Sequence, residues 1–186
     1  MKRIFTLFFC FCLFASFSVS AQDGLKRFKS AGGIVGYGNA FSDNTLYKIF
    51  YLAGDFSWSF SKPKKNDFVA WYFEPQFNFV HTLRPFDIEF GTNLGIRNYV
   101  KVNDGLYFYQ MLGSGPHYIS AELDRQATGF IFSDNLAVGA YTRVNKKKSL
   151  FLNLQFRMRH ISNAGLKLPN RGVNSVNFFV GLSHFR

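Results

Sequence analysis

Along most of the chain apolar and polar residues alternate one by one, the period of a β-strand whose two faces meet different surroundings. Between residues 69 and 79 the apolar set is Val69, Trp71, Phe73, Pro75, Phe77 and Phe79, interleaved with Ala70, Tyr72, Glu74, Gln76 and Asn78. The next run repeats the pattern, with Ile88, Phe90, Leu94 and Ile96 set against Glu89, Gly91, Asn93, Gly95 and Arg97. Runs of this kind fall at 32–40, 45–60, 67–81, 87–101, 105–114, 127–143, 149–162 and 173–185. Ser61 to Asn66, Val102 to Gly105 and Asn145 to Lys148 read as short polar turns, whereas Gly115 to Ala127 and Asn163 to Gly172 are longer loops. Eight strands with short turns at one end and longer loops at the other predict an all-β fold, an eight-stranded antiparallel transmembrane β-barrel of the outer membrane, its apolar face toward lipid. A soluble sandwich or lipocalin carries the same alternation with its apolar face inward, so patterning alone leaves that alternative open. Pro75 in mid-strand forfeits one ladder hydrogen bond, and a local bulge is expected there.

The N-terminus changes the picture by setting a compartment. Met1-Lys2-Arg3 is a basic start, Ile4 to Phe17 an apolar core, and Val19-Ser20-Ala21 a small-residue cleavage point, which together read as a secretory signal peptide over 1–21 and a barrel over 22–186. The expected location is the outer membrane of a Gram-negative bacterium. Both cysteines, Cys10 and Cys12, lie in the segment to be removed, so no disulfide, thiol nucleophile or thiolate metal site is expected in the mature chain. The net charge of +11 favours an anionic partner. For an exported protein that partner is an anionic lipid and not nucleic acid, although Lys62, Lys64, Lys65 and Lys146 to Lys148 sit in polar turns and read equally well as solvated charge. His81, His117 and His184 are too scattered to argue for a metal, and no cofactor is expected. Glu74, Gln76, Asn78, Glu89 and Arg97 are expected to fill the lumen. Glu122, Asp124 and Arg125 fall in or near an external loop, within reach of lipid phosphates or simply solvated.

Candidate chemistry lies near the C-terminus, in His160-Ile161-Ser162-Asn163-Ala164-Gly165 followed by Pro169-Asn170-Arg171-Gly172. A histidine and a serine two residues apart fall on one face of a strand. They share that face with Leu150, Leu152, Leu154, Phe156 and Met158, so on the barrel reading both look outward into lipid at the external end of the seventh strand. A serine hydroxyl attacks an ester only when a base accepts its proton, and fixed donors must hold the oxyanion that forms. A pair in this position suits a lipid substrate.

These two motifs, with the eight-strand layout, resemble the lipid A 3-O-deacylases of the outer membrane (PagL type), which are related to acyloxyacyl hydrolases. The resemblance implies hydrolysis of an ester-linked acyl chain of lipid A (lipopolysaccharide), with Ser162 as nucleophile, His160 as base, and Asn163 and Gly165 on the oxyanion. In that family a glutamate on the last strand orients the histidine. The place fourteen residues beyond His160 is Asn174 here, whose carbonyl can fix the histidine tautomer but brings no charge. Strand parity offers a second partner. Asp134 lies on the lipid-facing register between Phe132 and Leu136, and a tight turn at Asn145 to Lys148 would bring it opposite His160, at about 5 Å between Cβ atoms. A bulge turning Asp134 into the lumen is the competing expectation. The alternative function is a non-catalytic small barrel serving as adhesin, scaffold or membrane-stabilising protein.

Overall fold

The computed structural model describes residues 29–41, 45–60, 67–84 and 86–186. The expected signal peptide and the turn holding Lys62, Lys64 and Lys65 lie outside the described residues. Nine strand segments occur among the described residues: β1 (Lys29–Ala40), β2 (Lys48–Ser59), β3 (Asp67–His81), β4 (Asp87–Asn103), β5 (Leu106–Ser114), β6 (Pro116–Ile119), β7 (Gly129–Asn145), β8 (Leu150–Ser162) and β9 (Val173–Phe185). Segments β5 and β6 both pair with β4 on one side and β7 on the other, so they form one stave. Gly115 between them exchanges both backbone hydrogen bonds with Ser133, and a Cβ there would collide with the Thr92 carbonyl oxygen. The stave therefore runs on to Ile119, where the sequence pattern had placed a loop from Gly115. All pairings are antiparallel, and β1 with β9 and β3 with β4 close the ring at eight staves.

Pro75 does not produce the expected bulge. The β2–β3 ladder stops after Ala53↔Gln76 and resumes at Phe56↔Phe73 in the same register, while β3–β4 pairing runs unbroken through Pro75↔Thr92. Two pairs drop out and nothing shifts, because the opposite neighbour holds the strand. Gly54, across from the proline, supplies the room, since a Cβ there would approach Pro75 Cγ to 3.3 Å.

The direction of the two faces separates membrane barrel from soluble barrel. Leu52, Trp71, Phe77, Leu94, Phe108, Leu112, Val138, Leu154 and Phe178 are exposed on the outer wall, an apolar surface far too extended to face water. Glu74, Glu89, Asp55, Arg97, Arg157 and Arg159 are buried inside. That inversion identifies the outer-membrane architecture and removes the soluble alternative.

The lumen is filled by stacked layers. Toward the short turns, Phe68, Tyr99, Tyr109, Tyr141, Phe151 and Phe185 form an aromatic plug. At mid-height Arg97 pairs with Asp55 at 3.0 Å, and Arg157 bonds both carboxylate oxygens of Glu74 at 2.7 Å. Toward the loops Glu89 receives Arg159, His117 and Tyr47, beneath a cap of Ile49, Ile119, Ile131, Ile161 and Val173. The lumen residues expected from the sequence are all inside: Glu74, Gln76, Asn78, Glu89 and Arg97 are buried. Charges at such a depth persist only when paired and hydrogen-bonded.

Candidate active site

The short connections, at Asp104-Gly105 and Lys146 to Ser149, lie at one end of the barrel, and the loops that follow β1, β3, β6 and β8 lie at the other. The His-Ser pair sits at the loop end of β8. Alternation along that strand is strict: Arg157, Arg159 and Ile161 are buried, while Phe156, Met158, His160 and Ser162 face out. Each inward neighbour is tied down. Arg159 donates to Ser133 Oγ at 2.7 Å and reaches Glu89, and Ile161 packs into the apolar cap. The lumen thus holds the strand so that His160 and Ser162 have no choice but to point toward lipid.

His160 lies between two cross-strand partners, Asp134 on β7 and Asn174 on β9. Its Nδ1 is 2.7 Å from Asn174 Oδ1. An amide oxygen only accepts, so Nδ1 carries a proton and donates, and in the neutral ring the lone pair is on Nε2. The imidazole is seated against Gly172, which has φ of 69°. A Cβ at 172 would overlap His160 Cε1, lie 2.9 Å from Nε2 and 3.0 Å from the Ile161 carbonyl oxygen. Only glycine takes that left-handed conformation without strain and leaves space for the ring.

Asp134 keeps the outward register that alternation predicts. The β7–β8 ladder runs unshifted from Phe132↔Ser162 to Arg143↔Phe151, so the bulge that would have turned Asp134 inward is absent. The Ser114 hydroxyl donates to Asp134 Oδ1 at 2.5 Å. Ser114, Asp134, His160 and Asn174 therefore form a polar row across four adjacent staves, set into an apolar wall with Leu136, Met158 and Leu112 below it.

The loop over the site is built by donors that the sequence suggested for other work. Asn163 is buried, its side-chain amide donates to the Lys167 carbonyl at 2.7 Å, and its Oδ1 accepts from the Gly165 N–H at 3.0 Å. Its backbone N–H donates to Asn170 Oδ1 at 2.9 Å. A second loop, between β6 and β7, is stitched to this one through a bridge between Gln126 and Asn170, the Ala127 N–H to the Pro169 carbonyl at 2.8 Å, and the Arg171 N–H to the Arg125 carbonyl at 2.8 Å. Glu122 pairs with Arg84 at 3.4 Å on the exposed rim. Two residues around the site carried no assigned part in the sequence reading, Ser114 and Gly172. Ser114 could have been found by extending the outward register one stave beyond Asp134, and Gly172 by the Asn-Arg-Gly turn immediately before the last strand.

A family model described as lipid A 3-O-deacylase (PagL) matches residues 52–183, a span that contains the whole polar row. Among solved structures, the outer membrane enzyme PagL superposes with a TM-score of 0.64 at 16% identity, covering 81% of this chain and 97% of that one. Neisserial surface protein A gives 0.55 at 11% identity, covering 87% and 99%. The attachment invasion locus protein Ail of Yersinia pestis gives 0.51 at 10% identity, covering 87% and 100%. These likenesses concern the fold, that of small outer-membrane barrels. No curated protein sequence matches the chain.

Proposed function

Because the chain belongs to the lipid A 3-O-deacylase (PagL) family, we propose that it is a serine–histidine esterase that removes an ester-linked acyl chain from lipid A in the outer leaflet of a Gram-negative outer membrane. The observation that carries the proposal is the outward placement of His160, with Nδ1 engaged by Asn174 and Ser162 two residues along the same lipid-facing row. Nε2 accepts the proton of the Ser162 hydroxyl as its Oγ attacks the ester carbonyl carbon. The tetrahedral intermediate collapses, the sugar alkoxide leaves with the proton from the imidazolium, and an acyl-serine remains. Water, deprotonated by the same Nε2, then releases the fatty acid and restores the serine. Asn174 holds the ring and its tautomer throughout. Asn163 and Gly165 act by shaping the loop that closes over the oxyanion, and any direct donation to the oxyanion requires them to exchange their present partners.

The substrate follows from position, since a reacting pair on the lipid wall meets molecules of that leaflet and no soluble ester. Purified barrel in detergent micelles is expected to release free fatty acid from lipid A, and no release at any enzyme concentration would leave the non-catalytic adhesin or scaffold reading in its place. Gly172→Ala is expected to lower the rate about a hundredfold, the scale that follows from displacing a reacting group by about 1 Å. Heat-shifted electrophoretic mobility should show that variant still folded, since the strain of a left-handed alanine is only about 1–2 kcal/mol. A Gly172→Ala barrel as fast as the parent would separate the Gly172 seat from catalysis.

A further inference from the structure

A base that accepts a proton becomes an imidazolium, and around His160 the partner at Nδ1 is a neutral amide. An amide oxygen orients the ring but contributes no charge to the protonated state. The carboxylate nearest along the ladder is Asp134, directly opposite His160 in the β7–β8 register, which puts their Cβ atoms about 4.5–5.5 Å apart. It is exposed on the lipid side, on a wall where an acidic side chain serves no packing purpose. Ser114 Oγ donates to its Oδ1 at 2.5 Å from the far side.

Resting on the esterase reading above, we propose that Asp134 supplies the negative charge that stabilises protonated His160, with Ser114 as its clamp. Charge and orientation are then divided between two strands, Asp134 on β7 for the one and Asn174 on β9 for the other. Attraction between opposite charges on adjacent staves is stronger beside lipid than in bulk water. Asp134 is a positioning residue in this scheme: it acts through the imidazole and takes no proton itself.

Four barrels test the division: the parent, Asp134→Asn, Asn174→Glu, and the double variant, each assayed for fatty acid release over a range of lipid A concentrations. Asparagine at 134 still accepts the Ser114 hydrogen bond, so the local fold is kept. Asp134→Asn is expected to lower kcat about tenfold, for the loss of one opposite charge near the ring, with KM unchanged. In the Asn174→Glu background a carboxylate on β9 supplies the charge, and Asp134→Asn should then cost less than about twofold, since the two positions are coupled through one histidine. An effect on KM alone, or an equal loss in kcat with and without the Asn174→Glu change, would overturn the proposal. Fatty acid release that persists in Ser162→Ala would instead overturn the esterase reading on which it rests.

Discussion

Ser162→Ala should abolish fatty acid release from lipid A, lowering the rate about a thousandfold or more, and His160→Ala should do the same. The two losses should not add. If Nε2 acts only by taking the Ser162 proton, removing either residue removes the same step, so the double variant is expected to be no slower than either single one. The barrel itself should be indifferent. Both side chains face outward from β8, whereas the residues that hold the strand, Arg157, Arg159 and Ile161, face inward. Rates measured on material with heat-shifted electrophoretic mobility separate lost chemistry from lost structure. A Ser162→Ala barrel with more than about a tenth of parental activity, where about a thousandfold loss is expected, would exclude serine as the nucleophile.

The largest effect on stability is expected at mid-lumen. Glu74 accepts both Arg157 Nη groups at 2.7 Å, and both side chains are fully buried. Glu74→Ala leaves a guanidinium without its partner in the centre of a closed barrel, at a cost of about 3–5 kcal/mol. The Arg157 ring contact with Phe179, 4.2 Å from guanidinium carbon to ring centroid, does not replace a carboxylate. Replacing both partners, Glu74→Leu with Arg157→Met, should recover most of that loss, because the desolvation of the pair disappears with it. Urea unfolding of the barrel in lipid vesicles reads both effects. Since Arg157 lies on β8 three residues before His160, Glu74→Ala is also expected to reduce activity, whereas the apolar pair should restore it.

Much of this architecture was legible along the chain because a barrel wall imposes strict period two on every stave. The alternation of β3 alone separated Glu74 from Phe73, and the same parity placed His160 and Ser162 with Phe156 and Met158, and Asp134 with Phe132 and Leu136, on the outer wall. Period two is blind to strand ends and to loops. It lost the stave at Gly115, where glycine usually marks a turn but here admits the Thr92 carbonyl. It overstated the effect of Pro75, whose missing N–H opens two rungs toward β2 without disturbing the β4 side. The bridge from Gln126 to Asn170 depends on two aperiodic loops meeting in space, for which no spacing rule exists, and the Asn-Arg-Gly turn marks Gly172 without showing that the His160 ring rests on it. Asn163 shows the same limit from the other side, since its position suggested a donor to substrate and its contacts bind the loop to itself.

The difference between an outward His-Ser pair as chemistry and as incidental decoration of a barrel wall comes down to one mass spectrum. Lipid A incubated with the purified barrel is expected to lose the mass of a single ester-linked acyl chain, with that chain recovered as free fatty acid, and to keep its full mass after incubation with Ser162→Ala. Unchanged lipid A in the parental sample, or the same loss with both proteins, would contradict the assignment.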